Sequence, residues 1–494
     1  MKKNFCRLKT FLIKNKIELL YSFIITVVFF GLFVKENYTT DTYADIMMSY
    51  RDISGNFLRS GRFVTWIFYS IYKLVDNFSL FYSISFLTAI ISIASSIFLL
   101  GQILYSLRPK NGNKIPYLLS AVIVINPFSI ELMFYFEKGI MALAILFAIL
   151  AADYFRKYIH NHNKTSLAKS FLFAIGCCFS YQGILGLYVI LCAMFALLKE
   201  KKIIEACKNI IVAVIIYAIT VILNLGLSKI IVGSVKGGEF SIRGVVSALF
   251  VILEKSQNVF SLFGVLPSTI IWVGFIITLV LIFKKCIKSN KHWRTVLINC
   301  LILMTVIVVF VLLPHMAQSS TSVWLTPRSC YPFGAGIFII IAYVACEKRA
   351  ICSNNKNLRP IYVSCIIVLF LEFFNFNQII VNHYETNVSD RLLAYMIEER
   401  ISEYEGSNDS KIESIAVVRS EGASYIYPGI KAVGDAQVMA LATDWSDVNM
   451  INYYTGRELT KLGVDENMQK LCQENSVVSD IVFDNHSVYI CKNQ

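Results

Sequence analysis

Residues 18–34 read Glu18-Leu-Leu-Tyr-Ser-Phe-Ile-Ile-Thr-Val-Val-Phe-Phe-Gly-Leu-Phe-Val34. After Glu18 no charged side chain occurs until Lys35. As a helix at about 1.5 Å per residue the run covers roughly 25 Å, close to the hydrocarbon thickness of a bilayer. Lys2, Lys3, Arg7, Lys9, Lys14 and Lys16 precede it. A basic stretch before an apolar run also opens a signal peptide, but no small-residue cleavage site follows. The run therefore reads as an uncleaved first span whose N-terminus is cytoplasmic.

The same pattern recurs along the chain, at roughly 80–101, 115–134, 139–155, 169–181, 184–198, 207–231, 262–283, 295–313, 331–346 and 361–380. With the first, that makes about eleven spans. The pair at 169–181 and 184–198 is short and would also fit one kinked helix. The basic residues favour two spans. Arg108, Lys110 and Lys114 share one connection; Arg156, Lys157, Lys164 and Lys169 the next; then Lys199, Lys201 and Lys202; then Lys284, Lys285, Lys288, Lys291 and Arg294; then Lys348, Arg349, Lys356 and Arg359. Every second connection is thus basic, as the positive-inside rule requires, and merging the pair would break that alternation.

Apolar residues make up 56% of the 494-residue chain and charged residues 16%, below the quarter usual in soluble domains. The formal charge of +13 lies mostly in the short connections, which excludes a nucleic-acid face and points to membrane lipids. The expected fold is an all-α polytopic bundle over residues 1–381, followed by a small extracytoplasmic α/β domain over residues 382–494. Within that tail Ser389–Tyr404 is helix-like, and Ile412–Val418 and Ser487–Cys491 are strand-like. Most of the 13 cysteines lie in apolar runs, where a thiol acts as a small hydrophobe. Cys472 and Cys491 lie in the tail, where a disulfide or two free thiols are both open.

Phosphate-binding glycine loops, HExxH and paired CxxC motifs are missing, and six scattered histidines give no metal-ligand spacing, so neither a cofactor nor a metal is expected. Charge gathers instead at the external ends of the spans. The first external loop holds Asp41, Asp45, Arg51, Asp52, Arg59 and Arg62. In a helix Asp41 and Asp45 would share a face. A carboxylate there can deprotonate a hydroxyl while guanidinium groups hold a phosphate; a solvated loop that merely avoids the bilayer is the plainer reading. Glu131, Glu137 and Lys138 form a tight turn, Tyr181-Gln182-Gly183 another, and Arg328 precedes a span. Each is also explained as a helix terminus, a turn or an interface anchor. No carboxylate or histidine chain crosses the spans, which disfavours an ion-coupled transporter.

Taken in order, Asp45-Ile46, Ser60-Gly61-Arg62-Phe63, Asn126-Pro127-Phe128, Tyr135-Phe136-Glu137-Lys138 and Tyr181-Gln182, with a later Asp390-Arg391-Leu392-Leu393-Ala394 helix, resemble the type II O-antigen glucosyltransferase family. These are membrane glycosyltransferases of the GT-C class. The resemblance implies a sugar, expected to be glucose, moved from a polyprenyl-phosphate donor to a cell-surface glycan outside the cytoplasmic membrane of a bacterium. It also implies a catalytic carboxylate in the first external loop. Paired acidic residues are usual at that point, whereas this chain has Ala44-Asp45, so Asp45 and Asp41 both stay candidates. Arg59, Arg62, Glu137, Lys138, Tyr181, Gln182 and Arg328 are the candidate substrate-binding residues.

One carboxylate beside arginines suits a transferase whose leaving group is already a phosphate, and suits a glycosidase with two carboxylates less well. A lipid-linked glycan polymerase or ligase would concentrate arginines in a long central external loop; residues 232–261 offer Lys236, Arg243 and Lys255. A flippase would need a charged central cavity, which these spans lack.

Overall fold

The computed structural model describes residues 13–107, 115–234, 293–316, 326–347, 359–420, 424–430, 437–475 and 480–492. The chain divides into two compact units. The first comprises Met1–Val34, Ser54–Met133 and Glu137–Asn377; the second comprises Lys35–Ile53, Phe134–Phe136 and Gln378–Gln494.

The first unit is a helix bundle that is apolar outside as well as inside. In the helix Lys16–Phe30, Ser22 and Thr26 are buried while Leu20, Phe23, Ile24, Val27 and Val28 are exposed. The two hydroxyls bond back to carbonyls one turn earlier, at 2.8 and 2.7 Å. The helix Ile203–Val232 repeats the pattern, burying Ala206, Ala213, Thr220, Asn224 and Ser228 and exposing Ile211, Ile215, Ile222 and Ile230. The inner faces mix these small and hydroxylated residues with Phe29, Phe30, Ile210, Ile216 and Tyr217, and the outward faces are almost wholly apolar, as in a bundle surrounded by lipid.

Among the described residues eight helices are long and apolar enough to cross a membrane, and nine if the bent pair Ile115–Val124 and Pro127–Met133 counts as one span. The run at 262–283 lies outside the described residues. Residues 164–180 form a separate helix of 17 residues, just short of spanning length by the same measure. It ends at Tyr181, and after the 3-10 turn Gln182–Ile184 the helix Leu185–Lys199 begins. Ser170 reaches the hydroxyl of Tyr188 at 3.4 Å, and Lys199 Nζ meets the carbonyl of Ile159. The chain therefore reverses at Tyr181–Ile184, as two helices rather than one kinked one.

The second unit holds a four-stranded mixed sheet in the order β2-β1-β4-β3. Its strands are β1 (Ser414–Arg419), β2 (Thr460–Lys461), β3 (Ile481–Asp484) and β4 (Ser487–Lys492). β1 pairs in parallel with β2 and β4, and β3 closes antiparallel on β4. Alternation decides the two faces. Ile415, Val417, Val488 and Ile490 join Ala394, Ile397 and Ile401 of the helix Arg359–Asn408 and Val448 and Ile451 of the helix Asp447–Thr455. Ala416, Val418 and Tyr489 face Met468 and Leu471 of the helix Glu466–Asn475. Cys472 on that helix is disulfide-bonded to Cys491 on β4, which settles the alternative in favour of the bridge.

Lys35–Ile53 belongs to this unit; residues 37–44 are packed into it and are not a solvated loop, while residues 49–52 are exposed. Asn387 reads the backbone of Tyr38 like a neighbouring strand, accepting from its N–H at 2.9 Å and donating to its carbonyl at 2.6 Å. Tyr38 and Tyr43 stack at 5.5 Å, and their hydroxyls meet those of Tyr453 and Tyr454 at 2.9 and 3.0 Å. Burial pushes the Tyr43 phenol well above its ordinary range, with the Asp390 carboxylate adding to the effect, so Tyr43 serves this network in its protonated form.

Candidate active site

At one end of the first unit several helices give way to short 3-10 turns. Pro127–Met133 packs against Pro327–Cys330, which in turn meets Gln182–Ile184. A 3-10 turn leaves backbone groups without helical partners, and buried polar side chains satisfy them here. Glu131, fully buried, accepts the backbone N–H of Arg328 at 2.5 Å. Asn126 accepts the N–H of Phe128 at 3.0 Å. Thr326 and Ser329 cap each other reciprocally and fix the turn that carries Arg328.

The Ser60-Gly61-Arg62 turn is fixed in the same manner. The helix Tyr50–Arg59 stops there and Phe63–Val75 begins. Gly61 has φ +68°, the left-handed region that a side chain disfavours. Asn224 Nδ2 donates to the Gly61 carbonyl at 2.7 Å, and Gln182 Nε2 donates to the carbonyl of Ser60. The turn is thus held from two other helical segments, which sets the direction in which Arg62 leaves it.

The Arg62 guanidinium lies 4.9 Å from the centre of the Tyr181 ring. Its Nη1 is 3.8 Å from Glu137 Oε1. That is an ion pair but not a hydrogen bond, so the donor fork keeps capacity for an anion. Glu137 is buried, and Tyr69 donates to its Oε2 at 3.4 Å. Beside it Lys138, fully buried, places Nζ 3.7 Å from the centre of the Tyr82 ring and 5.8 Å from that of Phe33. An aromatic face is a favourable seat for an ammonium group in a dry site.

Arg62, Glu137, Tyr181 and Gln182 are therefore brought together, with Lys138 next to Glu137 in the chain. Arg328 sits on its own turn, tied to Glu131. Arg59 is exposed and bonds to Gly55 of its own helix at 3.1 Å, apart from the cluster. Asn224 is a member that sequence reasoning missed; its one signal was an amide inside the apolar run 207–231.

Asp41 and Asp45 belong to the second unit, on the helix Thr40–Met47, where the spacing of four puts them on one face. Thr39 caps that helix by accepting from the N–H of Thr42 at 3.3 Å. Both carboxylates are partly buried. Asp41 Oδ1 accepts the indole N–H of Trp445 at 3.1 Å. Among the described residues no group of three or more His, Cys, Asp or Glu side chains converges in a way that would hold a metal ion.

Comparison with individually curated proteins finds no match. The family model described as glucosyl transferase GtrII matches residues 30–340. That stretch includes both aspartates, the Ser60-Gly61-Arg62 turn and the turns bearing Glu137, Gln182 and Arg328. A match over more than half of the chain, on a bundle of long apolar helices with a buried cluster of charge at its end, shows that this protein belongs to the type II O-antigen glucosyltransferase family.

Proposed function

We propose that the protein transfers glucose from a polyprenyl-phosphate donor to a cell-surface glycan at the outer face of the cytoplasmic membrane. The observation that carries this reading is the Arg62 cluster. A guanidinium set over Tyr181 and only loosely paired with Glu137 is a ready anion seat. It lies in a bundle whose outward faces suit lipid, where a phosphate on a polyprenyl chain would be presented. The Cys472–Cys491 bridge supports an extracytoplasmic tail, because structural disulfides persist in oxidising compartments.

In this mechanism a carboxylate of the helix Thr40–Met47, Asp45 or Asp41, takes the proton of the acceptor hydroxyl. The freed oxygen forms a bond to C1 of the sugar as the C1–O bond to phosphate breaks. The electron pair leaves on the lipid phosphate, whose charge Arg62 stabilises. Glu137, Lys138, Tyr181 and Gln182 position the sugar and hold Arg62 in place.

The test uses the full chain in membranes with an acceptor extract, supplied in parallel with polyprenyl-phosphate [14C]glucose and with UDP-[14C]glucose. Label moves to glycan from the lipid donor alone. Transfer from the nucleotide sugar in membranes stripped of polyprenyl phosphate would refute the donor assignment.

A further inference from the structure

An exposed tryptophan in the second unit is left unused by these roles. Trp445 is 47% exposed, and among the described residues no aromatic ring stacks on it. Its N–H edge is nevertheless anchored, on Asp41 Oδ1 at 3.1 Å, and its backbone carbonyl accepts from Asn449 Nδ2 at 2.7 Å. The loop beneath is braced as well. Arg419 bonds the carboxylates of Asp444 and Asp447, and Lys461 Nζ lies 2.9 Å from both oxygens of Asp447. Ser446 Oγ closes the turn on the Ala440 carbonyl at 2.5 Å.

With the N–H edge held, the exposed surface of Trp445 is ring carbon. An indole offers a large apolar face at low conformational cost, and about half of this one is open to solvent. Asp41 Oδ2 takes no hydrogen bond among the described residues and can accept two. A rigid apolar plate beside a carboxyl acceptor matches a pyranose, whose ring C–H groups form an apolar face and whose hydroxyls form a donor rim.

We infer that Trp445 and Asp41 form a subsite for one pyranose ring of the acceptor glycan. Trp445 takes the C–H face of the sugar, and Asp41 Oδ2 accepts a hydroxyl. That the sugar is the acceptor rests on the glucosyltransferase reading; that the pair recognises a sugar does not. With Asp41 committed to the indole and to binding, the role of base falls to Asp45.

The full-length protein in lipid nanodiscs is titrated with maltotriose, cellotriose and a rhamnose-containing trisaccharide, and saturation-transfer NMR reads binding. At least one sugar gains saturation on its ring C–H protons. Its apparent affinity falls about tenfold or more in Trp445→Ala, while Trp445→Tyr keeps most of it, since a ring is restored. No binding by the wild type, or equal binding by Trp445→Ala, overturns the subsite. Should Trp445→Ala fail to fold, Asp41→Ala leaves the indole in place, and unchanged affinity in that variant overturns the subsite equally. Label transfer from the lipid donor is followed in the same preparations. Trp445-dependent sugar binding without lipid-donor transfer sinks the donor reading and leaves the subsite standing, and transfer without Trp445-dependent binding does the reverse.

Discussion

The Ser60-Gly61-Arg62 turn makes the sharpest prediction, through Gly61→Ala. At φ +68° a Cβ costs about 1–2 kcal/mol in the left-handed region. The added carbon would also stand 2.0 Å from Asn224 Oδ1 and 2.6 Å from its Cγ, far inside van der Waals contact. Asn224 is buried and its Nδ2 holds the Gly61 carbonyl at 2.7 Å, so it has to abandon that bond to move. Overpacking of this kind costs about 1–3 kcal/mol more. The expected total is about 2–5 kcal/mol, and Arg62, the next residue, loses its setting. A misplacement of about 1 Å in a substrate-holding group lowers the rate roughly a hundredfold. The assay pairs thermal unfolding in detergent with glucosyl transfer, for Gly61→Ala, Asn224→Ala and the double variant. Asn224→Ala alone loses about 1–3 kcal/mol by leaving the Gly61 carbonyl without its donor. In that background the clash is gone, and Gly61→Ala adds only its backbone strain of about 1–2 kcal/mol. Strict additivity, or a Gly61→Ala protein as stable and active as the wild type, would refute the reasoning.

Arg62→Lys keeps the charge and loses the planar fork, so kcat/KM for the lipid donor falls about tenfold or more in steady-state transfer assays, with stability little changed. Glu137→Gln removes a 3.8 Å pair with a partly exposed partner; thermal unfolding should register a loss of only about 1 kcal/mol. Asp447→Asn strips a buried carboxylate of its bonds to Arg419 and Lys461. Because both cations keep some solvent, unfolding of the second unit should ease by about 2 kcal/mol, less than for a fully buried pair. Cys472→Ser opens a bridge between positions 19 apart; about 3 kcal/mol of stability should go, and reductant should lower the wild type to the variant's level while leaving the variant unchanged.

The bundle was legible because lipid imposes length: among the described residues eight helices, or nine with the bent pair, are long and apolar enough to cross a membrane where such runs were expected, and the expected run at 262–283 lies outside the described residues. The inward placing of Ser22, Thr26, Thr220, Asn224 and Ser228 was present in the sequence too, but it emerges only once helix faces are known. The tail was readable for a different reason. Ile415/Val417 and Ala416/Val418 alternate with period two, as do Val488/Ile490 and Tyr489/Cys491, so β1 and β4 were visible as strands. The partnership of Lys35–Ile53 with the tail was not, since Asn387 and Tyr38 are 349 positions apart and nothing local marks the pair. Within the candidate site, Arg62, Glu137, Tyr181 and Gln182 were found by charge and turn position. Asn224 and Trp445 were passed over because each is a single polar or aromatic residue whose meaning depends on a partner far along the chain.

The most direct measurement follows label leaving polyprenyl-phosphate [14C]glucose in membranes holding the wild type, Asp45→Asn or Asp41→Asn. Asparagine keeps the shape of the carboxylate and loses its basicity. The wild type should move label to glycan, and Asp45→Asn should lose at least a hundredfold, the usual worth of a general base, while remaining folded. Full transfer by Asp45→Asn and by Asp41→Asn alike, or wild-type membranes that leave all label on the lipid with every acceptor extract, would contradict the account.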